Sequence, residues 1–167
     1  MKIKPAQEAA SGAEFTYATP AGMPTLDPAI AEYESATPED QTRMLSQLVC
    51  EVYENAPLPV RGLLLDKLLR PIGVLSLVTL AGGIFAKIRF RSALQAAPLR
   101  IEDIEIVGTR DVLALVDRVQ QASDGAMDGL NYIIATSPVL ARSAAAYVLS
   151  MVLIKSSRVK RVDDFDA

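Results

Sequence analysis

From Thr37 onward, apolar positions recur with helical spacing. Thr37-Pro38-Glu39-Asp40 supplies a capping hydroxyl, a first-turn proline and two acids that complement a helix dipole. Met44, Leu45, Leu48, Val49 and Val52 follow at steps of one, three and four, and Asn55-Ala56-Pro57 closes the element. Residues 59–70 repeat the pattern, with Val60, Leu63, Leu64 and Leu68 on one side and Arg61, Asp66 and Lys67 opposite. Leu65 and Leu69 widen that apolar face, and Pro71 ends or kinks the helix. Thr109 reads as a further cap, before a stripe of Val112, Leu115, Val116 and Val119. After the break at Ser123-Asp124-Gly125, Met127, Leu130, Ile133 and Ile134 mark another helix. Ser137 and Pro138 are expected to open the last one, through Ala144 to about Ser157.

One stretch departs from amphipathic patterning. Pro71–Ala86 holds sixteen residues without a charge, with Arg70 before it and Lys87, Arg89 and Arg91 after. Apolar surface left in water costs ~25 cal/mol per Å², so this run needs a cover, either protein or lipid. Sixteen residues at ~1.5 Å rise reach ~24 Å, short of the ~30 Å of a bilayer core. Gly73, Ser76, Thr79, Gly82 and Gly83 allow close helix approach, and Gly82-Gly83 reads equally as a helix end. A second apolar block, 129–154, carries only Arg142 and is followed by Lys155, Arg158, Lys160 and Arg161. Two apolar blocks each closed by a basic cluster on the C-terminal side fit one-sided association, or a soluble bundle, better than a two-span hairpin.

Between the central run and Thr109 the period changes. Lys87, Arg89 and Arg91 alternate with Ile88 and Phe90, and a β-branched, acidic segment follows at 101–107. This predicts a small β-hairpin over 87–107, with the cations facing Glu102 and Glu105. The competing reading continues the helix through Arg91 with snorkelling basic side chains. Residues 1–36, with Pro5, Pro20, Pro24 and Pro28 and no sustained period, read as a flexible or docking arm. Residues 162–167 read as a solvated acidic tail. The expected architecture is mainly α: five to six helices in a compact bundle over 37–161, with an extended N-terminal arm.

Composition narrows the chemistry. Half of the 167 residues are hydrophobic but only 5% are aromatic, and the mean hydropathy of +0.24 favours an oligomer or a lipid surface over a free monomer. The single cysteine, Cys50, permits no internal disulfide, and the lack of histidine removes the usual general base and ordinary zinc, copper and haem ligation. No cofactor or metal is expected. Cys50 lies off the Leu45–Val52 stripe and reads as a plain thiol. Glu102, Asp103 and Glu105, the densest acids, read as a charged edge, and the glycines match no phosphate-binding motif. Net charge is −3, but residues 1–56 carry −6, 57–100 carry +6, 101–128 carry −5 and 129–167 carry +2. Alternating blocks suit contact between segments or copies, and a pI of about 5.0 disfavours nucleic acid despite Lys87-Ile88-Arg89-Phe90-Arg91. Met1-Lys2-Ile3-Lys4 is followed by Pro5-Ala6-Gln7-Glu8, not an apolar stretch, so the expected compartment is the cytoplasm.

These observations predict a non-enzymatic protein that works by contact, on a membrane or lipid-granule surface or with copies of itself. In the lipid reading, Leu75, Leu77, Val78, Leu80, Ile84 and Phe85 enter the acyl region, while Arg70, Lys87, Arg89 and Arg91 meet anionic head groups. The alternative is a soluble, self-assembling helical scaffold or shell-type protein with 71–86 and 144–154 as its oligomer core. A third reading is a carrier of an acyl chain.

Overall fold

The computed structural model describes residues 26–95, 98–122 and 125–163, and among these the chain is helical, with no strand. Nine helices follow one another there: α1 (Leu26–Ser35), α2 (Pro38–Asn55), α3 (Leu58–Leu69), α4 (Val74–Val78), α5 (Ile84–Gln95), α6 (Ile101–Glu105), α7 (Thr109–Ala122), α8 (Asp128–Thr136) and α9 (Ala144–Asp163). α2 is the central element, packed between α7 and α9, while α8 joins α9 to α3 and α6 lies on α3.

α2 forms where its caps dictate. Thr37 Oγ1 accepts from the Asp40 N–H at 3.3 Å, and Pro38 occupies the first turn. Its buried residues are Leu45, Ser46, Val49, Cys50, Val52 and Tyr53, a face broad enough for two partners. Cys50 therefore belongs to the buried surface, on the side turned to α7, where its thiol reaches the Thr109 carbonyl at 3.8 Å. Arg61 closes the C-terminal end of α2. Its guanidinium donates to the carbonyls of Ala56 at 2.8 Å and Glu54 at 2.6 Å and lies over the Tyr53 ring. On α3, Leu64, Leu65, Leu68 and Leu69 are buried and Leu63 is exposed. α6 can approach α3 closely because Gly62 has no side chain; a Cβ there would stand 2.9 Å from Ile104 Cδ1.

The hairpin expected over 87–107 is not formed. Residues 84–95 are helix α5, and 101–105 are helix α6. The alternation of Lys87, Arg89 and Arg91 with apolar residues also fits a helix. Phe85 and Ile88, three apart, turn inward, whereas Phe90 is 60% exposed. In α6 the inward positions are Ile104 and, just beyond, Val107, again three apart.

Nor is 71–86 one helix. α4 stops at Val78, and Ala81, Gly82 and Gly83 take positive φ of 46°, 63° and 82° before α5 begins. Paired glycines adopt this left-handed turn without a Cβ penalty, whereas Ala81 bears one. A Cβ on Gly82 would meet nothing within 4 Å. Gly82→Ala therefore carries a purely conformational cost of about 1 kcal/mol. That loss, read as a lower urea midpoint with an unchanged slope, should shrink in Gly82→Asn.

Two further boundaries differ. Leu26–Ser35, near the end of the expected arm, form α1, because Ala29, Ile30 and Tyr33 share a helical face packed on the core. α1 is held to α9 by the Glu34–Lys155 ion pair. The remainder of the arm, 1–25, lies outside the described residues, as do 164–167 of the acidic tail. Ser137 ends α8 instead of starting α9, its N–H donating to the carbonyls of Ile133 at 3.1 Å and Ile134 at 3.3 Å. α9 is capped by Ser143, whose hydroxyl accepts from the Ala146 N–H at 3.4 Å.

Candidate functional site

α4, the left-handed turn and α5 form a small corner whose principal packing is internal, α4 upon α5. Its inner side enters the core: Leu77 and Phe85 are fully buried and Ile88 nearly so. Its outer side is apolar in water. On α4, Leu75 is 87% exposed, with Val74 and Val78 beside it at one-turn spacings and also exposed. On α5, Lys87, Phe90, Arg91 and Leu94 share the outward face at intervals of three and four, all exposed.

The ten residues singled out from sequence thus divide. Leu75 and Val78 stand outward, Leu80 and Ile84 are half-buried, and Leu77 and Phe85 are core residues with no surface to offer a partner. Arg70 is exposed but engaged, Nη2 lying 2.7 Å from Asp66 Oδ2. Arg91 Nη2 lies 2.5 Å from Asp103 Oδ1, so its acidic partner belongs to α6 of the same chain, one residue from the expected Glu102. Lys87 and the half-buried Arg89 have no carboxylate partner among the described residues. Sequence reasoning missed Val74, Phe90 and Leu94 as outward apolar residues. The signal for the last two is the 87, 90, 91, 94 spacing, legible only once 84–95 is read as helix.

The chain segment that carries this corner is rich in cations, although Asp103 of α6 pairs with Arg91. Residues 57–100 contain seven Lys and Arg and a single acid, Asp66. An outward apolar face set in a cationic segment suits the boundary between acyl chains and anionic head groups. Among the described residues no helix is long and apolar enough to cross a membrane.

Elsewhere the described residues offer little chemistry. No three Cys, Asp or Glu side chains among them converge as metal ligands. A cleft of about 260 Å³ between α8 and α9 is lined by Asp128, Asn131, Leu153, Ile154 and Ser157. A more open groove between α2 and α7 includes Cys50, Glu51, Glu54 and Thr109. Burial, helped by Glu54 and Asp117, pushes the Cys50 thiol up to about 11. At pH 8 the unfolded chain already holds roughly a tenth of this group as thiolate, whereas the folded chain holds far less. Between about 9 and 11 only the unfolded chain ionises, so stability falls as pH rises through that window. Native Cys50 should accordingly resist iodoacetamide at pH 8 and react within minutes once urea unfolds the chain. Equal rates in the two states would contradict its burial.

No family model matches the chain, and no curated protein or solved structure matches it.

Proposed function

We propose that this is a non-enzymatic contact protein that docks peripherally on an anionic lipid surface, a membrane or a lipid granule, through the outward faces of α4 and α5. One observation carries the reading: Leu75, nearly fully exposed on a helix whose other outward residues are also apolar, stands in a segment with seven cations and one acid. Val74, Leu75, Val78, Phe90 and Leu94 would enter the acyl boundary, and Lys87 and Arg89 would sit at head-group level. Ile84 and Leu80 support the corner from behind, while Leu77 and Phe85 hold it to the bundle.

Leu75→Asp tests this. Because the side chain is exposed, the thermal midpoint should stay within about 2 °C of wild type. Recovery with floated vesicles of phosphatidylcholine and phosphatidylglycerol should fall at least tenfold, since a carboxylate replaces a leucine in the boundary layer. Undiminished flotation would refute the docking surface. Self-assembly, favoured by the alternating acidic and basic blocks, makes a separate prediction. There the same substitution converts a defined oligomer to monomer in lipid-free buffer.

A further inference from the structure

The second basic cluster, on the last turns of α9, lies far from α3 in sequence, but the start of α8 brings it to the C-terminal end of α3 in space. Lys67, on the last full turn of α3, lies along Gly129 at the start of α8. The position of a Gly129 Cβ is 3.2 Å from Lys67 Cδ and 3.6 Å from its Nζ. The residue before it, Asp128, accepts at Oδ1 from Ser157 Oγ at 2.9 Å. The end of α3, the start of α8 and the last turns of α9 therefore meet at one end of the bundle. Arg158 follows Ser157 and is exposed there. Arg70 lies one turn beyond Lys67, and α4 opens four residues after Arg70.

Resting on the docking reading above, we infer that the anionic surface is gripped at two places. The α4–α5 corner makes the first, and the shared end of α3 and α9, through Lys67 and Arg158, makes the second. Of the acids here, Asp66 pairs with Arg70 and Glu34 with Lys155, while the exposed Asp128 accepts a hydrogen bond from Ser157 and keeps its charge. Neither Lys67 nor Arg158 has a carboxylate partner among the described residues, so both charges are available to phosphate head groups. Arg110 offers an internal control. It follows Thr109, whose hydroxyl donates to Glu54 Oε1 at 2.6 Å, which places it by the beginning of α3. The twelve residues of α3 separate the two ends by roughly 18 Å.

The test is flotation of the full chain with neutral phosphatidylcholine vesicles and with vesicles containing phosphatidylglycerol, at low salt. Wild type should prefer the anionic vesicles. With each cation near an anionic surface contributing about fivefold, Lys67→Gln/Arg158→Gln should weaken anionic binding roughly 25-fold. Its binding to neutral vesicles should not change, and Arg110→Gln should behave as wild type. Retained preference in the double variant, or an equal loss in Arg110→Gln, would overturn the second grip while leaving the α4–α5 docking intact. A wild-type chain that floats with neither vesicle would overturn both.

Discussion

Phe85→Ala is expected to lower the free energy of unfolding by about 3–5 kcal/mol. Phe85 opens α5 with no exposed surface and is among the largest fully buried side chains. Truncation removes its transfer free energy and leaves a cavity that neighbours anchored on separate helices cannot fill by shifting together. For a domain whose total stability is about 5–15 kcal/mol, that loss brings the fold close to its limit. Urea titration monitored by far-UV dichroism would measure it, and a loss below 1 kcal/mol would mean Phe85 is not in a closed core. Leu77, equally buried on α4, should behave alike. Substitutions at these two positions report on folding. Leu75 and Val78 are exposed on the other side of α4, so pairing the two kinds of variant separates folding from the docking proposed for this face.

Arg91→Ala should cost about 2 kcal/mol, because it strips the cation from a carboxylate the fold has enclosed. Asp103 retains 6% of its side-chain surface, whereas Arg91 keeps 44%. The exposed arginine pulls the effect below the 3–5 kcal/mol typical when a fully buried pair is broken. The same bond ties α5 to α6, so its loss loosens the corner as well as leaving a carboxylate without its cation. Replacing both residues, as Arg91→Leu/Asp103→Leu, removes the buried charge with its partner and should recover most of the loss. A double-mutant cycle in urea would show this as strong coupling. Additive losses would mean that the two side chains act independently.

Much of the bundle was legible from periodicity and caps. α2, α3, α7 and α8 lie within a few residues of where Thr37, Pro57, the Val112–Val119 stripe and the Met127–Ile134 stripe place them. The α7 start differs in detail: the Gly108 N–H donates to Asp111 Oδ2 at 2.9 Å, while the Thr109 hydroxyl is spent on Glu54. Residues 87–107 misled because five residues of alternation satisfy two periods at once. Only packing decides that Ile88 and Phe90 face opposite ways. The α4–α5 corner was half legible. An uncharged run announces that apolar surface must be covered, but it is apolar all round. Composition therefore cannot tell Leu75 from Leu77, or foresee that a left-handed turn folds the run back on itself.

The order in which the helices pair sets a schedule for synthesis. α2 takes its packing from α7 and α9, so Val49 and Val52 lack their final neighbours until the last helix has left the ribosome. Roughly a hundred residues separate them, an interval of about 5–20 s at ordinary elongation rates. Through that interval the buried face of α2 lacks its final cover. A protein built this way depends in the cell on whatever shelters a growing chain as much as on the contacts that finally close it.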